Sequence, residues 1–316
     1  MNTNNLCILG GTGFVGRHLL TRFNAAGIGC RVLTRHPHKH RDLQVAGVAQ
    51  LVEVNLFDNV QLRAALEGCQ AVVNLVGILN ESAAGASFQR VHVELGDRLL
   101  DAAKWAGVPR LLHMSALQAS ETSGSSAYLK SKGEAENRAH TLAKPQIHVT
   151  SFRPSVIFGP GDSFFNRFAD LLQLPGPFPL ACPDARFAPV YVGDVAEAFA
   201  RALDARTTWG KSYELCGPRG FTLKALVQYT AAQLGLNKRV IGLSDRLSRL
   251  QARALEHLPG KPFSYDNYLS LQTDSLCSKN GLEKLGIQAT DIDSVVPLYL
   301  AAQGQRQRYS ALRRVS

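Results

Sequence analysis

A glycine-rich turn between a short apolar strand and an amphipathic helix constrains the fold of this chain most strongly. The strand predicted at Leu6–Leu9 leads into Gly11-x-Gly13-x-x-Gly16, and a helix is predicted at Phe14–Ala25. Glycines at this spacing permit a tight turn, close approach of backbone N–H groups to a pyrophosphate, and close helix–strand packing. The helix N-terminus adds partial positive charge. The pattern predicts a dinucleotide site formed by Gly10, Gly11, Thr12, Gly13, Phe14, Val15 and Gly16.

Short apolar runs alternate with amphipathic stretches through the first half of the 316-residue chain. This rhythm predicts an α/β fold with a doubly wound parallel sheet of the Rossmann type, covered by helices on both faces. The predicted strands are Leu6–Leu9, Cys30–Thr34, Gln50–Val54, Ala71–Val76, Arg110–Met114 and Ile147–Phe152. The regular alternation of predicted strands and helices ends at about residue 155. We therefore expect a dinucleotide-binding domain at 1–155 and a smaller, mainly helical substrate region at 156–316, with some elements returning to the first domain.

Composition and charge exclude several classes of protein. Hydrophobic residues make up 45% of the chain, enough for a sizeable core, which argues against disorder. No apolar run reaches the ~20 residues of a membrane-spanning helix, and the N-terminus lacks the layout of a signal peptide. We therefore expect a soluble, cytoplasmic protein. The net charge of +10 comes from spread-out basic residues without a nucleic-acid-binding module, so we expect no nucleic-acid partner.

The cysteines and histidines show no metal-ligand spacing, so we expect no metal site. The six cysteines stand singly along the chain, which favours free thiols in a reducing compartment. They are Cys7, Cys30, Cys69, Cys182, Cys216 and Cys277.

The end of the second predicted strand bears on the choice of dinucleotide. NAD-preferring folds place a carboxylate there for the ribose 2′-hydroxyl. This chain has Thr34 followed by Arg35, and a guanidinium fits a 2′-phosphate. Further positive character comes from the nearby His36, His38, Lys39 and His40. We favour NADP(H) over NAD(H); the alternative is a solvated basic loop.

Other strand ends supply candidates for the adenine site, because ligands of open α/β sheets lie along the carboxyl edge of the strands. Asn55 is a candidate hydrogen-bonding partner of the adenine, and apolar neighbours could sandwich the ring. The candidates are Asn55, Leu56, Leu75, Val76 and Gly77. Ordinary core packing is the alternative for the leucines and valine.

A serine, a tyrosine and a lysine form the candidate catalytic group. Ser115 follows the fifth predicted strand, and Tyr128 and Lys132 lie four residues apart on the next helix, hence on one face. An ammonium beside a phenol lowers its pKa and prepares it for proton exchange with an alcohol or carbonyl. Lys132 could also bind the nicotinamide ribose, and Tyr128 would then border the cofactor as well.

Several motifs together resemble the short-chain dehydrogenases/reductases of the extended or atypical type. They are GGTGFVG, the Ser115/Tyr128/Lys132 set, FRPSVIFGPGD at 152–162 and VYVGDVA at 190–196. The resemblance implies a Rossmann sheet with a small substrate domain and hydride transfer between a nicotinamide and a carbonyl or alcohol. It also implies that Pro154, Ser155 and Val156 line the nicotinamide.

Further motifs resemble bacterial relatives of the dehydrogenase-like accessory subunit of respiratory complex I. They include FQRVHV at 88–93, RLLHMSAL at 110–117, YELCGP at 213–218 and LQTD at 271–274. The resemblance implies an alternative role as a nucleotide-bound accessory or assembly protein of a membrane respiratory complex. A nucleotide-sugar epimerase is a second alternative. It is less favoured, because Ala116 and Leu117 stand where sugar dehydratases carry an acidic pair.

The last third of the chain contains a candidate surface helix and a basic tail. No motif in the chain identifies the substrate. Leucines and Ala254 recur at helical spacing within 243–258, with arginines between them. This pattern fits a membrane-surface or partner-docking helix, or an ordinary helix packed on the small domain. Arg306, Arg308, Arg313 and Arg314 could contact anionic lipid. Apolar residues at 164–180 hint at a quinone- or isoprenoid-like substrate, although core packing explains them equally well.

Overall fold

The computed structural model describes residues 6–45, 49–82, 85–258 and 261–300. Short apolar runs form most of its strands. The strands are β1 (Leu6–Leu9), β2 (Cys30–Thr34), β3 (Gln50–Glu53), β4 (Ala71–Asn74), β5 (Arg110–Met114), β6 (His148–Pro154), β7 (Ile157–Phe158), β8 (Phe178–Leu180), β9 (Arg186–Phe187), β10 (Val190–Tyr191), β11 (Lys211–Leu215), β12 (Phe221–Thr222) and β13 (Val240–Gly242).

Amphipathic stretches form the α-helices, most of which lie between strands and the last of which follow β13. They are α1 (Phe14–Ala25), α2 (Arg41–Val45), α3 (Asn59–Leu66), α4 (Leu95–Trp105), α5 (Ala127–Leu142), α6 (Phe165–Leu172), α7 (Val192–Asp204), α8 (Leu223–Gln233), α9 (Asp245–Glu256), α10 (Tyr265–Ser270) and α11 (Gly281–Lys284). The structure also contains two 3₁₀ turns, Pro37–His40 and Arg206–Thr208, and a π-helical turn, Gln89–Glu94. Residues 292–300 are helical as well. No helix in the described ranges is long and apolar enough to cross a bilayer.

Seven parallel strands form the central sheet in the order β11-β6-β5-β4-β1-β2-β3. The order reverses between β1 and β4, which is the switch point where ligands of such sheets bind. The predicted Rossmann-type fold is confirmed. Strand β11, which comes late in the chain, pairs with β6 from Lys211↔Thr150 to Leu215↔Pro154.

The chain divides into two compact units. The first contains the described residues of Met1–Pro154, Gly193–Leu215 and Lys279–Ile287, which include the seven-stranded sheet. Strands β1, β4 and β5 are buried along their whole length, as a sheet covered on both faces requires. Leu62, Leu66 and Leu99 on the flanking helices belong to a core that includes Leu9 and Val149 from the sheet.

The second unit contains the described residues of Ser155–Val192, Cys216–Ser278 and Gln288–Ser316. Helices α6, α8, α9 and α10 lie in it, with three two-stranded sheets. Phe165 and Leu172 are fully buried in its cores. Core packing therefore accounts for these two members of the apolar segment at 164–180. The arginines at 306–314 lie outside the described residues.

Cys216 and Cys277 form a disulfide bond across 61 residues of sequence, with a Cα–Cα distance of 6.0 Å. The expectation of free thiols is therefore wrong for this pair. Cys7, Cys30 and Cys69 are free and buried, and Cys182 is free and half-buried. Linear spacing did not reveal the pair, because only the folding of the second unit brings the two residues together. The described residues contain no cluster of side chains suited to a metal ion.

Candidate functional site

The glycine-rich turn connects β1 to α1 and has the crowded backbone that glycine requires. Gly10 has a φ of +79°, which side chains rarely adopt, and the Gly13 N–H donates to Gly10 O (3.1 Å). A Cβ on Gly16 would lie 2.5 Å from Gly10 O, and one on Gly11 would lie 2.8 Å from a Val32 methyl. These contacts explain why the turn is built from glycines.

Gly13 is the N-cap of α1 and is exposed, with no side-chain hydrogen bond at the cap. The first N–H groups of a helix lack intrahelical partners and carry the positive end of the helix dipole. Phe14 and Val15, also assigned to the site, form the first helical residues. The end of this 12-residue helix can therefore accept an anion such as a phosphate.

A cavity of about 520 Å³ lies at the carboxyl ends of β1 to β4, beside this turn. Eight of the predicted cofactor-binding residues line it: Gly10, Thr12, Thr34, Arg35, Asn55, Leu56, Val76 and Gly77. Leu75 does not line the cavity; it packs against Gly10. Strand β4 ends at Asn74, two residues earlier than predicted, because Asn74 Oδ1 accepts from the Val76 N–H (3.1 Å).

The end of β2 presents basic rather than acidic groups to the cavity. Thr34 is buried and its hydroxyl accepts from the His36 N–H (3.3 Å), whereas Arg35 and His36 are exposed. His40 lines the same cavity. Arg17 does not line the cavity, because it donates to Thr12 O (3.2 Å) and forms an ion pair with Asp42. Arg35 is therefore the guanidinium placed to meet a ligand at the end of β2.

The far side of the cavity contains two residues that the sequence analysis missed. Phe57 follows β3, and the Arg90 guanidinium lies 4.6 Å from the centre of its ring. Asn55 was predicted to contact adenine, but its Oδ1 accepts from the Phe57 N–H (3.1 Å), so its NH₂ group is left as the donor. Arg90 lies 33 residues after Phe57, and no local motif connects the two.

The candidate catalytic residues lie at the carboxyl end of β5 and the start of α5. Ser115 is buried, and its N–H donates to Phe152 O (2.7 Å). Tyr128 is the second residue of α5, and Lys132 lies one turn later. Lys132 Nζ donates to Met114 O (2.6 Å). This bond holds the ammonium at the residue that directly precedes Ser115. Burial lowers the pKa of Lys132 to about 8, so it remains largely cationic at neutral pH.

A buried carboxylate supports this arrangement from one turn further along α5. Glu136 accepts two hydrogen bonds from Arg153 Nε (2.8 and 3.0 Å) and one from Ser212 Oγ (2.5 Å). Burial raises the pKa of Glu136, but these hydrogen bonds outweigh burial and hold it below its ordinary value. Glu136 also favours the charged form of Lys132. Ser115 Oγ lies near Glu136 yet makes no hydrogen bond of standard geometry to the described residues.

His92 is a site residue that sequence reasoning did not assign. It lies in the π-helical turn Gln89–Glu94, a feature that frequently occurs at functional sites. Its Nε2 accepts from the Ile78 N–H (3.1 Å), so Nδ1 carries the proton and donates to Ser131 Oγ (2.8 Å). Ser131 in turn donates to Tyr128 O (2.9 Å). His92 thus connects the loop after β4 to helix α5.

The environment of His92 keeps its ring neutral. Burial and the nearby Lys132 charge lower the pKa of His92 to about 3. The ring packs edge-on against Tyr128, with centroids 5.7 Å apart, and stacks on Phe88. The FQRVHV motif contained His92, but only the folded π-helical turn shows that it supports Tyr128.

The three residues expected at the nicotinamide fall into separate units. Pro154 ends β6 in the first unit, and Pro154 O accepts from the Leu117 N–H (3.0 Å). Ser155 belongs to the second unit, where its hydroxyl donates to Ser275 O (2.8 Å). Val156 is half-buried in the same unit. The Ser155 hydroxyl is therefore held by its own unit.

Comparison with known proteins gives one family match and several similar relatives. The family described as "NAD dependent epimerase/dehydratase family" matches residues 6–216. The chain is 30% identical to the mitochondrial NADH dehydrogenase [ubiquinone] 1 alpha subcomplex subunit 9 of Arabidopsis thaliana, over 87% of this chain and 71% of that protein. It is 29% identical to the ceramide reductase of Caulobacter vibrioides, over 76% and 74% of the two chains.

A solved structure shows the same fold. The NADPH-dependent quinone oxidoreductase of Escherichia coli in complex with NADPH superimposes with a TM-score of 0.70 at 23% identity, over 96% of this chain and 99% of the other. The family match covers two thirds of the chain and includes the glycine-rich turn, Ser115, Tyr128 and Lys132. The chain therefore belongs to the NAD dependent epimerase/dehydratase family.

Proposed function

We propose that this chain is an NADP(H)-dependent oxidoreductase that reduces a carbonyl or oxidises an alcohol. The observation that carries the proposal is the placement of Ser115 directly after β5 and of Tyr128 and Lys132 one turn apart at the start of α5, with the Lys132 ammonium hydrogen-bonded to Met114 O. The crowded turn at Gly10 and Gly16 and the exposed N-cap Gly13 fit a dinucleotide pyrophosphate.

Tyr128, Lys132 and Ser115 have different roles in the proposed reaction. Tyr128 donates its phenolic proton to the carbonyl oxygen in reduction and accepts a proton in oxidation. Lys132 lies one helical turn from Tyr128, contributes its positive charge to the site and holds the ribose. Ser115 Oγ donates a hydrogen bond to the same substrate oxygen. When bound, NADP(H) supplies or accepts the hydride.

Arg35 is the residue that we propose to select NADP(H) over NAD(H). It lies exposed at the end of β2, beside His36, and lines the cavity where the adenosine ribose would lie. The buried Thr34 offers no carboxylate to a 2′-hydroxyl. A guanidinium instead suits the 2′-phosphate in charge and geometry.

Replacing Arg35 by alanine tests this selection. We expect the Kd for NADPH to rise roughly tenfold to a hundredfold, since a charge-assisted hydrogen bond contributes about 1.5–3 kcal/mol. The Kd for NADH should stay unchanged. Nicotinamide fluorescence measures both, and Arg41→Ala is the matched control, because Arg41 is exposed but does not line the cavity. Equal affinity of the native protein for the two nucleotides would contradict the proposal.

The substrate that we propose is a lipophilic carbonyl compound of the quinone or isoprenoid type. The proposal is supported by the relative named ceramide reductase and the neighbour named quinone oxidoreductase. We propose the first unit as the NADP(H)-binding domain and the second as the substrate-binding region. A sugar epimerase stays less favoured, since Ala116 and Leu117 are buried apolar residues without acid–base groups.

A second candidate function is that of a nucleotide-bound accessory or assembly subunit of a membrane respiratory complex, located peripherally at the cytoplasmic face of the membrane. The observation that favours it is the 30% identity to the plant NADH dehydrogenase subunit over 87% of the chain. We expect the tagged chain in detergent-solubilised host membranes to comigrate with NADH–ubiquinone reductase activity on a density gradient. Recovery of the chain only at the position of its monomer would contradict this candidate.

A further inference from the structure

Helix α9 exposes leucines to solvent, whereas the residues that it buries are small. Its buried residues are Ser248 and Ala252, whereas Leu247 is 51% and Leu250 62% exposed. Leu258, just beyond the helix, is 49% exposed. An ordinary helix of a globular domain turns its leucines inward. The interpretation of this stripe as core packing is therefore wrong for these leucines.

Hydrogen bonds fix the orientation of α9. Ser248 Oγ accepts from the Cys182 N–H (3.1 Å), outside the helix. Gln251 Nε2 donates to Pro179 O (3.3 Å) on β8. These contacts fasten the polar face of the helix to the second unit, so Leu247 and Leu250 on the other face remain in solvent.

A neighbouring strand extends the apolar surface. Ile241 on β13 is 40% exposed and pairs in register with Pro179, the residue that Gln251 of α9 contacts. We call Ile241, Leu247, Leu250 and Leu258 the leucine face. All four belong to the second unit.

Basic residues accompany the leucine face. Arg246, Arg249 and Arg253 are exposed along α9 on the side next to Leu250. The guanidinium groups of Arg249 and Arg253 lie over the rings of Tyr268 and Tyr265, at 5.8 and 5.2 Å. Residues 237–261 contain six lysines and arginines but two acidic residues. The surface thus combines aliphatic side chains with net positive charge.

We propose that the leucine face binds an anionic phospholipid bilayer. The leucines enter the boundary between headgroups and acyl chains, and the arginines contact the lipid phosphates, as in helices that lie in the membrane interface. A protein partner fits less well, because leucine is under-represented among residues that dominate protein interfaces. This inference rests on the membrane location proposed above and names the surface that produces it.

Vesicle co-sedimentation of the purified full chain tests the inference. We expect binding to vesicles that mix phosphatidylcholine with about one third of the anionic phosphatidylglycerol, and little binding to pure phosphatidylcholine. L247Q/L250Q should lower partitioning about a hundredfold, since each buried leucine contributes on the order of tenfold. R246Q/R253Q should lower it about fivefold to thirtyfold at low salt, since each arginine contributes about 1 kcal/mol.

The control is L142Q/L298Q, which changes two exposed leucines elsewhere and should bind vesicles like the native chain. NADPH binding should be the same in all variants, so failure of the lipid proposal is distinguishable from failure of the proposed reductase. Two outcomes would overturn the inference. They are absence of binding to anionic vesicles and normal vesicle binding by L247Q/L250Q. If L247Q/L250Q binds vesicles normally but no longer comigrates with a respiratory complex, the leucine face binds a protein instead.

Discussion

Tyr128→Phe is expected to lower the turnover number for carbonyl reduction by about 10²–10⁴-fold, the usual contribution of a positioned general acid. The substitution removes one oxygen and keeps the ring that packs against His92 and Phe88. The Kd for NADPH should change less than about twofold, because the Lys132 contact with Met114 O is untouched. The experiment follows NADPH oxidation with a panel of quinones and isoprenoid ketones, and measures nucleotide binding separately.

Tyr265→Phe is the matched control, because Tyr265 is a half-buried tyrosine of α10 in the second unit. It should retain native turnover. If Tyr128→Phe binds NADPH and turns over substrate like the native chain, the acid–base role of Tyr128 is wrong. If the native chain binds NADPH but reduces no compound in the panel, while comigrating with a respiratory complex, the accessory-subunit candidate replaces the reductase.

Gly13→Asp should abolish nucleotide binding without harming the fold. Gly13 is the N-cap of α1, with an ordinary extended backbone (φ −78°, ψ −179°). Aspartate is a favoured N-cap residue, so we expect the free energy of unfolding to stay within about 0.5 kcal/mol of the native value. The new carboxylate would occupy the place of the pyrophosphate and repel it. We expect the Kd for NADPH to rise more than about a hundredfold.

Gly13→Asn separates charge from size, because asparagine caps a helix equally well and carries no charge. A Cβ at this position would lie 3.3 Å from Gly10 O, a contact that both variants share. Denaturant unfolding gives the stability and nicotinamide fluorescence gives the Kd. We expect Gly13→Asn to bind NADPH more tightly than Gly13→Asp. Native affinity in Gly13→Asp would show that the α1 N-terminus does not bind the phosphates.

The parallel sheet and the glycine-rich turn could be predicted because their signals are local. A buried parallel strand must be a short apolar run, and a turn that brings Gly16 against Gly10 O tolerates no side chain at Gly16. The spacing of Tyr128 and Lys132 likewise places them on one helix face. Each of these inferences needs only neighbouring residues and the period of a strand or helix.

Long-range contacts could not be predicted in this way. The carboxylate of Glu136 is stabilised by Arg153, 17 residues away, and by Ser212, 76 residues away. His92 gains its role because a π-helical turn points its ring at Ser131 and Ile78. Neither contact has a period or motif of its own.

Helix α9 shows what a local sequence pattern can predict and what depends on tertiary contacts. The amino acids alone specify an amphipathic helix with a leucine stripe and interleaved arginines. Which stripe faces the protein depends on the partners that the fold supplies, here the Cys182 N–H for Ser248 and Pro179 O for Gln251. Periodicity defines the faces of a helix, but only tertiary hydrogen bonding and packing decide which face is buried, and in this protein they leave the leucines exposed.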